Sequence, residues 1–570
     1  MAEPEVTSAT LKAEATVAAD GLGPASAAAV APAPKRASVL RSSAIYSGLT
    51  MVSRVLGLAR DLVLSNVMGA SATIAADAYN TAFAFPNLFR RIFAEGAFAT
   101  AFVPAYAKAL ERDGEASADE LATDAMATLL FGALVLTFVC ELLMPWLMYL
   151  IAPGFASNPQ KFKLAVVLTQ IMMPYLPLMA IFAHLSGVLQ ARGKFIATAA
   201  AFSLLNLCTL VTVLPTHGAV NASYAASAGV VLAGVAQSGL VWWGLRRSGV
   251  TIRFRLPRLT PQIKALLKLA VPGTIAASAT QINLFVSGIL ASQVQGARTW
   301  LAYADRLYWL PLSLVGVAIG VALLPQLSRA VHSGREDEAQ GAMDQAVVLS
   351  LALSLPAAAA LMAMPFYLID GLWRRGAFTL VDSHATAAVL FHYGWAVPAF
   401  VLRQVLQPAF FARQDTRSPM RFSLVSVGVN LALGIVLFMW IGVPGIAAAT
   451  AVAAWVNVAQ MANALWRRNI YRPTPQAVAR LARILAAVVA LGAMLWAADH
   501  FRPFIERPLG AFHLLGLHAK EITVLAVTGA AVLVYPALLF AFGGVTPAEL
   551  RSLVRRQPKA PGAPAAPAMD

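Results

Sequence analysis

Apolar stretches of about 20 residues recur along the chain, separated by short polar connections. A helix needs about 20 consecutive apolar residues to cross the hydrocarbon core of a bilayer. The pattern therefore predicts an all-α polytopic membrane protein with roughly 14 transmembrane helices. The predicted spans are residues 44–68, 75–108, 123–151, 164–190, 195–214, 222–245, 266–292, 300–327, 346–372, 387–411, 422–441, 445–465, 481–496 and 522–542.

Composition excludes a soluble domain, because 59% of the 570 residues are hydrophobic and only 12% are charged. The formal charge of +16 could indicate nucleic-acid binding. Lys and Arg gather in alternate connections, however, which is typical of a protein in a phospholipid bilayer, so we predict no nucleic-acid partner. Cys140 and Cys208 lie inside apolar stretches, and the sequence predicts neither a metal site nor a cofactor.

The basic connections set the predicted orientation. Arginines follow the fourth, sixth, tenth and twelfth spans, whereas residues 69–74, 215–219 and 442–444 contain no Lys or Arg. The exceptions on that second side are Lys161, Lys163, Arg374, Arg375, Arg502 and Arg507. By the positive-inside rule, both termini are cytoplasmic. Residues 1–41, rich in Ala and Pro, are predicted to be a disordered cytoplasmic tail, and residues 544–570 a second cytoplasmic tail.

Short motifs repeat at nearly one offset. Ala191-Arg192 recurs as Ala412-Arg413 (413 − 192 = 221), and Arg246-Arg247 recurs as Arg467-Arg468 (467 − 246 = 221). This offset covers six predicted spans, so the two copies share one orientation. That arrangement predicts two parallel six-helix repeats with a central cavity between them, residues 42–247 and 248–468. Residues 469–543 contain two additional helices.

Five arginines lie at membrane depth, where a guanidinium costs about 2.5 kcal/mol or more. Arginine cannot avoid this cost by deprotonation. Such residues normally face a watery cavity or a charged partner, and guanidinium forks suit a phosphate or a carboxylate. The five are Arg54, Arg60, Arg90, Arg91 and Arg306.

Helical geometry assigns faces to the first and eighth spans. Arg54 and Asp61 share one face of a regular helix, and Arg60 points elsewhere. Because neighbours in sequence do not face each other on a helix, Arg306 is predicted to enter the cavity while Asp305 points sideways. The alternative is that Arg60 and Asp61 are ordinary solvated charges at the end of a helix.

The second span holds another cluster. Arg91 and Glu95 are four residues apart and can pair along the helix, which leaves Arg90 on another face. Pro86 and Gly96 interrupt this span, as in the broken helices of transporter sites. Asp77, at the start of the span, is a further acid. An ion-pair network that holds two helices together would explain Arg91 and Glu95, but not Arg90.

These motifs resemble the MurJ (MviN) lipid II flippases, a family of the MOP exporter superfamily. The resemblance runs from about residue 44 to residue 542. It rests on Ser53-Arg54-Val55-Leu56-Gly57, Ala59-Arg60-Asp61, Pro86-Asn87-Leu88, Arg90 to Phe98, Phe102-Val103-Pro104, Ala304-Asp305-Arg306-Leu307 and Ala412-Arg413-Gln414-Asp415.

The resemblance implies a non-enzymatic lipid II flippase of the bacterial inner membrane. Its substrate would be undecaprenyl-diphosphate-linked disaccharide-pentapeptide, and residues 469–543 would form a groove for the lipid tail. Partners among the cell-wall synthesis proteins stay open. The charges that the family requires fall on Arg54, Arg60, Asp77, Arg90 and Arg306. Trp309 stands where some relatives carry a glutamate, which puts a gating role of that acid in doubt.

Charge discriminates between the alternative functions. A multidrug exporter of the same superfamily would need acids for cationic drugs, and a membrane glycosyltransferase would need clustered acids or a metal. A flippase for another polyprenyl-linked oligosaccharide stays open on charge alone. We expect unpaired arginines to repel each other across an empty cavity, and a diphosphate bound between them to drive alternating access.

Overall fold

The apolar stretches form helices in the computed structural model, which describes residues 36–94, 97–312, 317–507 and 519–544. These four ranges contain no strand. The chain divides into two compact units, Met1–Gly48 and Leu49–Asp570. The first unit contributes the start of the first helix to the described residues. The candidate site lies within the second unit.

We number the helices in chain order, with a short 3₁₀ turn (Pro153–Ser157) after the fourth. They are α1 (Arg36–Met68), α2 (Ala75–Ala94), α3 (Ala97–Arg112), α4 (Gly114–Ile151), α5 (Pro159–Met172), α6 (Tyr175–Ala191), α7 (Ile196–Val213), α8 (Ala219–Arg246), α9 (Pro261–Ser292), α10 (Ala297–Pro311), α11 (Val317–His332), α12 (Glu336–Ala363), α13 (Pro365–Trp373), α14 (Leu380–Phe411), α15 (Arg417–Ile441), α16 (Val443–Arg467), α17 (Pro475–His500), α18 (Arg502–Glu506) and α19 (Ala519–Ala541).

Ten helical segments in the described ranges are long and apolar enough to cross a bilayer, which makes this a multi-pass membrane protein. They are α4, α5 together with α6, α7, α8, α12, α14, α15, α16, α17 and α19. Fewer segments qualify than the roughly 14 predicted, and charge explains the difference at α2. Every 18-residue window of α2 contains Asp77, Arg90 and Arg91. The count of 14 stays a prediction.

Four predicted spans each contain two successive helices. They are the second (α2 and α3), the fourth (α5 and α6), the eighth (α10 and α11) and the ninth (α12 and α13). Pro174 lies between α5 and α6, and Pro365 begins α13. Proline lacks the backbone N–H that a helix interior requires, so it starts a new helix at these points. Pro86, in contrast, lies inside α2, so the interruption predicted at this proline is wrong. Gly96 lies outside the described residues.

The beginning of α1 differs from the predicted tail boundary. α1 begins at Arg36, so residues 36–41, which we predicted as tail, are helical. Residues 1–35 and 545–570, which hold the rest of the predicted tails, lie outside the described residues.

Helix bounds recur along the chain at an offset close to that of the sequence motifs. α5 begins at residue 159 and α14 at 380 (380 − 159 = 221). α7 begins at 196 and α15 at 417 (417 − 196 = 221). α8 ends at 246 and α16 at 467 (467 − 246 = 221).

Polar contacts recur at the same offset. Arg192 pairs with Glu115 through Nη1 and Oε1 at 3.2 Å, and Arg413 pairs with Glu336 through Nη2 and Oε2 at 2.7 Å. Both members of the second pair lie 221 residues after their counterparts (413 − 192 and 336 − 115). Each pair ties the start of a long helix, α4 or α12, to the connection that precedes α7 or α15.

Candidate functional site

Asp61 joins two arginines from helices that are distant in sequence. Its Oδ1 accepts from Arg60 Nη2 at 2.7 Å and from Arg60 Nε at 3.1 Å. Its Oδ2 pairs with Arg306 Nε of α10 at 2.8 Å. Arg60 and Asp61 are buried, whereas the Arg306 side chain is 52% exposed. The result is an arginine–aspartate–arginine cluster with a net charge of +1.

This cluster lines a small cavity between α1, α2 and α10. The cavity volume is about 30 Å³, enough for one or two water molecules but not for a diphosphate. Its walls are Arg60, Asp61, Leu64, Met68, Ala76, Tyr79, Asn80, Phe83, Ala302, Tyr303 and Arg306. Any larger ligand would therefore require these helices to separate.

The predicted direction of Arg60 is wrong. Adjacent residues on a helix project in different directions, and we expected Arg60 to lie away from Asp61. The arginine side chain is long enough for its guanidinium to reach back to the neighbouring carboxylate. The predicted repulsion across an empty cavity is also wrong for Arg60 and Arg306, because Asp61 neutralises part of their charge.

The other predicted residues fall in different places. Arg54 lies on α1 and is partly exposed, but it is not among the residues that line the cavity. Asp305 hydrogen-bonds with Tyr393 of α14, which turns it sideways from the cavity. Arg90 and Arg91 belong to α2, but their side chains lie outside the described residues, as does all of Glu95.

Asn206 of α7 supports the part of α1 that carries the arginines, and no motif in the sequence indicates this contact. Its Nδ2 donates to the Ser53 carbonyl at 2.9 Å. Its side chain also lies against Gly57, where an added Cβ would approach Asn206 Nδ2 to 3.5 Å. α1 continues through Gly57 as one helix, with its position there fixed from α7.

Asp77 is fully buried, at 0% exposure, and accepts four hydrogen bonds. Lys161 Nζ of α5 donates to its Oδ2 at 2.8 Å, and the Gly296 amide donates to the same oxygen at 2.7 Å. The Thr299 amide and hydroxyl donate to Oδ1 at 3.1 and 2.9 Å. Gly296 and Thr299 begin α10, so Asp77 also receives the favourable end of that helix dipole.

Asp382, a residue that sequence reasoning missed, forms a similar junction at the start of α14. Its Oδ1 accepts from the Ser71 amide at 3.0 Å and from Trp300 Nε1 at 2.9 Å. Its Oδ2 accepts from the amide and hydroxyl of Thr379 as part of a capping box. Asp382 thereby connects the turn after α1 with α10 and α14.

Backbone contacts surround these two aspartates. The Ala377 amide donates to the Asn66 carbonyl at 2.9 Å, and the Gly154 amide donates to Ser292 Oγ at 3.1 Å. At Gly154 an added Cβ would come within 2.3 Å of the Ser292 carbonyl oxygen. We call the contacts of Asp77, Asp382 and Gly154 the latch. The latch joins elements before residue 247 to elements after residue 260.

Two amide side chains, one on α9 and one on α15, pair with each other. Asn430 Nδ2 of α15 donates to Asn283 Oδ1 of α9 at 2.5 Å. Amides in membrane helices commonly join neighbouring helices in this way.

Comparisons with known proteins agree with this architecture. A family model described as "Lipid II flippase MurJ" matches residues 64–506. A probable lipid II flippase MurJ of Rhizobium meliloti (strain 1021) is 39% identical over 526 residues, which cover 91% of this chain and 97% of the relative.

Two solved structures share the fold. A lipid II flippase MurJ in an inward closed conformation matches with a TM-score of 0.69 and 22% identity, over 90% of this chain and 99% of its own. An inward-facing multidrug resistance MATE family transporter of the MOP superfamily matches with a TM-score of 0.58 and 14% identity, over 75% of this chain and 98% of its own. At such low identity, these likenesses concern the fold alone.

Proposed function

Because this chain belongs to the lipid II flippase MurJ family, we propose that it moves lipid II from the cytoplasmic to the periplasmic leaflet of a bacterial inner membrane. Lipid II is proposed as the substrate because the related proteins are described as lipid II flippases. The observation that carries the proposal in this chain is the cluster of Arg60, Asp61 and Arg306, which places two guanidiniums from distant helices beside one cavity.

The chemistry of the cluster fits a diphosphate. Guanidinium groups bind phosphate oxygens through paired hydrogen bonds. In the unloaded state Asp61 occupies both guanidiniums, and the lipid diphosphate takes its place when the cavity opens. Arg54 and Arg90 extend the cationic surface in this proposal. A cationic drug would meet the wrong charge here, so a multidrug substrate is disfavoured.

We infer that residues 42–247 and 248–468 move as two parallel six-helix halves. The recurrence of helix bounds and of the Arg192 and Arg413 ion pairs at an offset of 221 supports this division. The latch holds the two halves together at one membrane face. In the predicted orientation that face is periplasmic, so the latch must open for lipid II to leave.

The last helices serve as a groove for the lipid tail in this proposal. Residues 469–543 comprise α17, α18 and α19. Tyr535 of α19 donates to the Ala352 carbonyl of α12, and Arg375 pairs with Glu521 of α19 at 3.0 Å. These contacts attach the groove to the second half, so tail and diphosphate would travel with the same body.

The membrane potential favours outward transport. With the cytoplasm negative and both termini cytoplasmic, each negative charge that moves outward gains about 2.3 kcal/mol per 100 mV. The emptied cavity, with its net positive charge, is drawn back by the same field. Transport by this cycle of alternating access changes no covalent bond.

Arg306 gives the sharpest cellular test. In cells that depend on this chain, Arg306→Ala should abolish growth and trap lipid II in the inner leaflet, where an externally added probe cannot reach it. Arg306→Lys should restore transport in part, because it retains the charge without the fork. Arg417→Ala, at an exposed arginine of α15, is the matched control and should grow normally. Normal growth and normal probe access with Arg306→Ala would overturn the proposal.

A further inference from the structure

A second cationic surface lies in the connection between α8 and α9, away from the cavity. We call residues 247–260 the basic linker; they form no helix or strand. Within and beside the linker, six cationic side chains are exposed: Arg246, Arg247, Arg253, Arg258, Lys264 and Lys268. The sequence contains no Asp or Glu between Glu141 and Asp305, so neither the linker nor the helices on either side of it, α8 and α9, supply an acid.

The linker is held in place by the start of α4. The Thr251 amide donates to Asp119 Oδ2 at 3.0 Å, and the Arg253 amide donates to Thr123 Oγ1 at 3.4 Å. Arg255 pairs with Asp124. These backbone and side-chain contacts fix the linker on α4.

The acids of α4 are occupied by other arginines. Asp119 pairs with Arg192 at 3.1 Å, and Glu120 pairs with Arg255 at 3.7 Å. Within the described ranges, none of the six exposed cations forms an ion pair with a carboxylate. The surface therefore keeps a strong positive charge.

Apolar side chains stand among these cations. Leu256 is 84% exposed, and Leu259 and Phe254 are each 62% exposed. Phe254 stacks on Trp242 with ring centroids 5.2 Å apart, and the Arg247 guanidinium lies 4.1 Å from the centre of the Trp243 ring. α8 is a membrane-spanning helix that ends at Arg246, so the linker begins at a membrane face. Tryptophan, leucine and arginine together are typical of the interfacial layer of a bilayer.

We propose that the basic linker binds the phosphate head groups of anionic phospholipids, with Leu256 and Leu259 inserted into the interfacial layer. A polybasic segment next to a membrane helix attracts anionic lipid, and arginine binds phosphate oxygens in fixed geometry. This interaction goes beyond the transport of lipid II, because it involves bulk phospholipid at a surface outside the cavity. The linker connects the two proposed halves, and this interaction would anchor it to the bilayer surface.

The test uses a fluorophore at the most exposed leucine. Leu256→Cys, in a chain with Cys140→Ser and Cys208→Ser, carries an environment-sensitive label, and the protein is placed in nanodiscs of phosphatidylcholine with or without phosphatidylglycerol. We expect the emission to shift to shorter wavelength as the phosphatidylglycerol fraction rises. R246Q/R253Q/R258Q should reduce that shift at least threefold, whereas R417Q/R421Q/R467Q, three exposed arginines elsewhere, should leave it unchanged.

Salt provides an independent measurement if the triple variant does not fold. At about 1 M salt the Debye length is about 3 Å, so the anionic-lipid shift of the labelled parent should disappear. Equal emission in neutral and anionic nanodiscs, or a shift that survives both the substitutions and high salt, would overturn the proposal. Neither readout depends on transport, so failure here is distinguishable from failure of the flippase proposal.

Discussion

Two buried aspartates of this protein have opposite surroundings. Asp77 accepts from Lys161 and from donors at the beginning of α10, so all its partners are fixed by the fold. Asp61 instead holds two arginine side chains at the edge of a cavity, and one of them, Arg306, is half exposed. Burial alone does not separate a structural carboxylate from a functional one. The exposure of its partners does.

The largest effect is expected at Asp77. Asp77→Ala leaves Lys161, which is 3% exposed, as a buried charge without its carboxylate. Removal of one partner from a buried pair costs about 3–5 kcal/mol, so thermal unfolding of the purified protein should move to much lower temperature. D77A/K161M, which removes both charges, should recover part of the loss. An unchanged unfolding temperature in D77A would contradict the structural role.

Arg306 should show the reverse profile. Because its side chain is half exposed, Arg306→Ala is expected to change the free energy of unfolding by less than about 1 kcal/mol. Transport should nevertheless be lost. Thermal unfolding of this variant checks the expected stability, and probe access to lipid II checks the expected loss of transport. A large loss of stability would show that Arg306, like Asp77, has a structural role.

Asp61→Asn tests whether the Asp61 carboxylate competes with a diphosphate for the two arginines. The amide keeps the shape of the carboxylate but removes the charge that competes with a diphosphate. We expect inorganic pyrophosphate to bind more tightly to this variant, by about tenfold or about 1.4 kcal/mol, while transport slows because release is harder. Weaker binding of pyrophosphate would show that Asp61 assists the anion rather than competing with it.

Gly154 tests the latch through its backbone. Gly154→Ala would place a methyl group against the Ser292 carbonyl, so the latched face should open more often. A cysteine near that face should then react faster with a membrane-impermeant reagent. Gly132→Ala, on α4 with open space around it, is the control. The latch assignment fails if both variants react at the same rate as the parent.

The smallest effect is expected at an exposed pair. Asp415, in the connection between α14 and α15, accepts from the Ser418 amide and pairs with Arg468 at 2.7 Å. Hydrogen bonds from Ser418 and the charge of Arg468 lower the pKa of Asp415 to about 2. Its contribution to stability is thus present above its unfolded pKa and is lost only as the pH falls through about 2. Asp415→Asn should therefore leave the pH dependence of unfolding between about pH 5 and 8 unchanged.

Hydrophobic periodicity predicts most of the helices, because each predicted span overlaps a described helix. It does not locate the breaks within spans, where proline and packing decide together. Membrane-depth arginines pointed to Arg60 and Arg306, since a buried guanidinium needs a partner. Asp382, Lys161 and Asn206 were missed because each makes a contact across the fold, with a residue 84 to 311 positions away.

The central claim is that the guanidiniums at the Asp61 cavity bind the diphosphate of lipid II. The most direct test is the dissociation constant of lipid II from purified protein, measured for the parent, Arg306→Ala and Arg417→Ala. We predict at least tenfold weaker binding for Arg306→Ala, competition by inorganic pyrophosphate in the parent, and no change for Arg417→Ala. Equal affinity in all three proteins, without competition by pyrophosphate, would contradict it.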